Sequence, residues 1–79
     1  MQLHGIYMRK KYNIIVNTRE EPNVERTLNT LNRNYERATV TGNNEKISYT
    51  VNLSKYELLF LRLNCKSGKV LRIDNELTQ

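Results

Sequence analysis

A chain of 79 residues, 38% apolar and 27% charged, is long enough for one small folded domain and too short for a second, and without low-complexity tracts it does not read as a disordered chain. Its net charge of +5, thirteen basic residues against eight acidic ones, favours polyanions or acidic protein surfaces as partners. The single cysteine, Cys65, excludes an internal disulfide; with no Cys/His cluster, no charged-then-apolar leader and no apolar run near the roughly 20 residues of a membrane span, the composition points to a soluble, cytoplasmic protein.

In chain order, residues 1–11 read as an N-terminal arm that ends in the basic cluster "MRKK", Met8 to Lys11. Tyr12 to Thr18 ("YNIIVNT") is β-branched and apolar at its centre, as a strand covered on at least one face requires. In the following "REEPNVERTLNTLNRNYE", Val24, Leu28, Leu31 and Tyr35 fall at i, i+4, i+7 and i+11, the stripe of an amphipathic helix. Glu20, Glu21 and Pro22 suit its first turn and Arg33 its end. "RATVTGNNEKISYTVNL" then alternates with period two around Gly42-Asn43-Asn44, which predicts a hairpin. Ala38, Val40, Ile47, Tyr49, Val51 and Leu53 would face the core. Arg37, Thr39 and Thr41 with Lys46, Ser48, Thr50 and Asn52 would form a basic, hydroxyl-rich face toward water.

"NLSKYELLFLRLNCKSG", Asn52 to Gly68, carries both ends of a helix. Ser54-Lys55-Tyr56-Glu57 is a capping box, Leu53 and Leu58 form the hydrophobic staple, and Gly68 after Lys66 is a stop signal. "KVLRI", Lys69 to Ile73, predicts a last strand, and residues 75–79 end the chain as a polar tail. Over residues 12–74 the order strand, helix, strand, strand, helix, strand predicts a single α+β domain of the ferredoxin-like type: βαββαβ, a four-stranded antiparallel sheet with two helices on one face. A hairpin sheet carrying the two helices without that topology is the competing arrangement.

The second helix is apolar on two sides. At about 100° per residue, Tyr56, Leu59, Phe60 and Leu63 share one side, and Leu58, Leu61 and Cys65 lie nearly opposite. One side faces the sheet. The other is either covered from within, by Ile6, Tyr7 and Met8 of the arm or by the neighbouring helix, or open to a protein partner or a second copy of the chain. Leu58, Leu61 and Cys65 are the candidates for that partner-binding side.

Catalytic chemistry finds little support. His4 has no nucleophile fixed beside it, Cys65 has no base, and the adjacent Glu20 and Glu21 complement a helix dipole. The glycines, Gly5, Gly42 and Gly68, are too scattered for a phosphate loop. The expectation is a protein that is not an enzyme, with no cofactor, no metal and no small-molecule substrate. Nucleic-acid binding has more behind it: Arg9, Lys10, Lys11, Arg37, Lys46 and Arg72 could neutralise phosphates on a sheet face and the arm, with strong salt dependence.

The order of elements resembles an RNA recognition motif, with "KISYTVNL" in the place of its third-strand signature. That family stacks bases on aromatics of the open sheet face. Here Tyr49 alternates with Ile47 and Val51 and is expected to point into the core, which leaves the platform out. The layout is also similar to the small CRISPR-associated protein of spacer acquisition, whose first strand ends in an acidic residue proposed to bind metal; Asn17 stands at that position. Asparagine occurs eleven times, a bias that goes with AT-rich bacterial or phage genomes. The reading that accounts for the second helix is a small non-catalytic regulator or inhibitor, phage-like or mobile-element-like, docking on a protein of the host machinery. The alternative is a dimeric, direct nucleic-acid binder using the basic sheet face and arm.

Overall fold

Alternation decides which face of each strand is buried, and the buried residues of the sheet all fall on one side. Tyr12, Ile14 and Val16 are buried in the first strand and Ile47, Tyr49, Val51 and Leu53 in the third, while the residues between them are half-buried or exposed. The computed structural model describes residues 8–65. Its elements are β1 (Lys10–Asn17), a 3-10 turn (Thr18–Glu20), α1 (Glu21–Thr30), β2 (Tyr35–Val40), β3 (Asn43–Leu53) and α2 (Lys55–Asn64).

Among the described residues the sheet has three strands in the order β1-β3-β2, both pairs antiparallel, and not the four of the expected ferredoxin-like arrangement. The eleven-residue β3 takes the centre and uses both its edges: β1 pairs along its whole length, from Lys10 opposite Leu53 to Asn17 opposite Lys46, and β2 occupies the other side. Val24 and Leu28 of α1 and Leu58 and Leu61 of α2 join the buried residues of β1 and β3 in one core, with Tyr35 of β2 packed against it, so both helices lie on the same face of the described sheet. Lys69 to Ile73, the predicted last strand, and the tail lie outside the described residues.

Three local expectations also change. Tyr35 begins β2 and does not extend the α1 stripe, because Asn32 adopts the left-handed conformation (φ 58°) and stops the helix. Asn32 N–H donates to the Asn29 carbonyl (3.0 Å) and Arg33 N–H to the Leu28 carbonyl (2.9 Å), the pair of bonds of a Schellman end with asparagine in glycine's usual place. The predicted faces of β2 are exchanged. Tyr35, Arg37 and Thr39 stand opposite Val51, Tyr49 and Ile47 and so share the helix side, whereas Glu36 and Ala38 stand opposite Thr50 and Ser48. The cause is a bulge between Thr39 and Val40 next to the Thr41-Gly42 turn, which breaks the period of two across the hairpin. Finally, α2 ends at Asn64, whose side-chain amide donates to the Phe60 carbonyl (2.8 Å), four residues ahead of Gly68, which lies outside the described residues.

Candidate docking face on the second helix

The start of α2 forms as its sequence requires. Ser54 Oγ accepts from the Glu57 amide (3.2 Å) and Glu57 Oε1 accepts from the Ser54 amide (2.9 Å), closing the capping box. Glu57 then does more than cap. Arg9 Nε donates to its Oε1 (3.3 Å), and Arg33 Nε lies 3.2 Å from its Oε2, too poorly aimed to count as a hydrogen bond. Burial raises the Glu57 pKa, but the Ser54 amide and the Arg33 and Arg9 guanidiniums outweigh it and hold the carboxylate below its ordinary value of 4.5. One carboxylate thus ties together the chain before β1, the loop after α1 and the first turn of α2.

That anchoring fixes the rotation of the helix, and it sets the two apolar sides the other way round from the expectation. Leu58, Leu61 and Cys65, the expected partner side, are buried in the core. Tyr56, Leu59, Phe60 and Leu63 are 57%, 52%, 43% and 69% exposed. Leu53 explains the orientation. It sits in the buried alternation of β3 as the residue before the cap, and Leu58, its staple partner by sequence position, is buried in the same core. The sequence held this signal: a staple partner of a core strand residue has to face the core. Of the arm residues named as a cover for the second side, Met8 is exposed, and Ile6 and Tyr7 lie outside the described residues.

A groove runs along one border of the exposed side, between β1 and α2. Its volume is about 430 Å³, and among the described residues it is lined by Lys10, Tyr12, Lys55, Leu58, Leu59 and Arg62. Lys10 reaches this side of the sheet because it pairs opposite Leu53.

Among the described residues, the predicted nucleic-acid side chains are not brought together. Arg9 is held by Glu57, and Arg37 lies on the helix side, paired with Glu21 and Glu25. Glu25 also accepts a hydrogen bond from the Tyr49 hydroxyl (3.0 Å), and Tyr35 packs edge-on against Tyr49 at 5.5 Å. Tyr49 is buried there, its pKa raised by burial and by the bond to Glu25. Lys11 and Lys46 do share the open sheet face, but Lys46 stands opposite Asn17, six positions along β1 from Lys11, or about 20 Å. Lys46 donates to the Asn17 side chain (3.0 Å), and Glu36 shares the hollow that Lys11 lines. Between them Asn13 donates to Ser48 (2.6 Å) and Thr50 (3.1 Å), a neutral amide and hydroxyl ribbon. Arg72 and His4 lie outside the described residues.

Among the described residues, the candidates for chemistry, Cys65, Glu20 and Glu21, are engaged in structure. Burial, and after it Glu20, pushes the Cys65 thiol up to about 11, so the thiolate needed for reactivity is scarce at neutral pH. Glu20 is buried and accepts from Asn23 (3.0 Å), while Glu21 pairs with Arg37. Among the described residues no cluster of His, Cys, Asp and Glu side chains is placed to hold a metal ion, and no helix is long and apolar enough to cross a membrane. Compared with protein-family models, curated proteins and solved structures, the chain matches none.

Proposed function

We propose that the chain is a small, non-catalytic binding protein that docks on another protein through the exposed face of α2, acting in the cytoplasm as a regulator or inhibitor of host machinery. The observation that carries this is the row Tyr56, Leu59, Phe60 and Leu63, large apolar side chains exposed together on one side of a helix that is capped, stapled and held by ion pairs. Contiguous apolar surface on a rigid element is what protein partners bury, and aromatic side chains supply most of the energy when they do. Leu58, Leu61 and Cys65 support the face from beneath. A second copy of the chain is the simplest partner to look for. Nucleic acid is the alternative, resting on the net charge of +5 and not on a gathered phosphate site.

The test compares the protein with a Leu59→Glu, Leu63→Glu variant, each tagged and drawn from a nuclease-treated bacterial lysate for native mass spectrometry. Both positions are exposed, so the variant is expected to fold, which circular dichroism checks. A bound protein or second copy held by the parent and lost in the variant supports docking through α2. A complex that both hold equally, or a mass surplus that the parent carries from an untreated aliquot of the same lysate and lacks after nuclease, overturns it.

A further inference from the structure

We infer that the groove between β1 and α2 takes an acidic peptide segment bearing a large apolar side chain, presented by the protein partner; this rests on the docking reading above and names the chemistry of what docks. Lys55, Leu58, Leu59 and Arg62 stand at i, i+3, i+4 and i+7 on α2, one stripe with a cation at each end about 10 Å apart and two leucines between. Lys10, from the first position of β1, adds a third cation on the facing wall, and Tyr12 completes the floor. Among the described residues the ion pairs run from Arg9 and Arg33 to Glu57 and from Arg37 to Glu21 and Glu25, so none joins a carboxylate to Lys10, Lys55 or Arg62. Three cations without a described carboxylate ring an apolar floor, and their long stems can lie along it while the charged heads reach outward.

The complement of that arrangement is a segment with acidic residues flanking a leucine, isoleucine or phenylalanine, its apolar side chain packed on the exposed Leu59 beside the mostly buried Leu58 and its carboxylates on the cations. A nucleic-acid strand fits it less well. The floor is aliphatic apart from Tyr12, and at 3% exposure that ring offers no platform for a base. Leu59 belongs to both the groove and the exposed face, so a segment seated in the groove continues onto Phe60 and Leu63.

The test is to pan the full chain against a random displayed peptide library and measure a synthetic copy of the enriched sequence by fluorescence anisotropy. Enriched peptides are expected to carry acidic residues on either side of a large apolar one. Their affinity is expected to fall at least about tenfold with Lys55→Glu and Arg62→Glu together, and by a smaller factor with the milder Lys55→Ala, Arg62→Ala pair, which keeps the test usable should the reversal disturb folding. No enrichment, enrichment without acidic residues, or affinity unmoved by both pairs overturns the inference. Neutral apolar peptides that bind the parent but not Leu63→Glu would overturn it while leaving docking through α2 standing. Tighter peptide binding after Asp74→Asn with Glu76→Gln would make the occupant a segment of this chain, and dimerisation lost with Arg62→Glu would make it a second copy; either result overturns it.

Discussion

Glu57 shows how one side chain can serve both local and long-range order. Its place three residues after Ser54 is readable from sequence as a capping box, because a cap depends only on near neighbours. Its ion pairs with Arg9 and Arg33, 48 and 24 positions away, are not, since nothing local specifies them. Despite burial, the amide and the guanidiniums leave the folded carboxylate with a pKa below its unfolded value. A depressed carboxylate pKa stabilises the fold above the unfolded value, and that stability is lost as pH falls through the folded one. Thermal denaturation followed by circular dichroism is therefore expected to show melting temperature dropping as pH is lowered from about 6 to about 3. Glu57→Gln is expected to be less stable than the parent at neutral pH and to lose less across the same interval. Parallel pH profiles for the two proteins would show that the carboxylate's charge contributes nothing.

At the scale of elements, helix starts were legible and helix ends were not. Ser54 is a preferred cap and Pro22 a preferred first-turn residue, whereas α1 has an asparagine, Asn32, where glycine is the usual sign, and α2 runs only to Asn64. Asn32 stops α1 by turning left-handed, and in the last turn of α2 the Asn64 side-chain amide donates to the Phe60 carbonyl. The faces of β2 were misread for a related reason: the bulge at Thr39 and Val40 is a property of backbone pairing, and it moves Arg37 from the water side to Glu21 and Glu25. Asn32 offers a direct check. With φ at 58°, Asn32→Gly is expected to keep or slightly raise stability, while Asn32→Val, which adds a branched Cβ in a region closed to it, is expected to cost about 1–2 kcal/mol. In a domain of this size that is a fall in melting temperature of about 4–8 °C per kcal/mol. Equal melting temperatures for the two variants would mean that α1 does not end on a left-handed residue.

At the scale of the whole molecule, the described elements were legible in kind and order, and the sheet they build was not. Strand, helix, hairpin and helix follow from local pattern, but the sheet also needs a strand count and a choice of helix side, which are properties of packing. Leu58 and Leu61 carry that choice: the staple with Leu53 turns them inward, and Leu59 and Leu63 consequently face out. Leucine to alanine changes on the two sides should therefore differ sharply. Leu61 is fully buried, and its truncation leaves a cavity among strands and helices that cannot fully collapse, for a loss of about 2–5 kcal/mol. A domain this small has roughly 4–12 kcal/mol in total, so Leu61→Ala is expected to be largely unfolded at moderate urea. Leu63 is 69% exposed, and Leu63→Ala is expected to stay within about 0.5 kcal/mol of the parent while weakening any complex formed through the helix face. Urea denaturation of the two variants separates the sides without knowledge of the partner. If Leu63→Ala were the destabilised protein and Leu61→Ala the intact one, α2 would be turned over, and the docking surface would have to be sought on Leu58 and Leu61 instead.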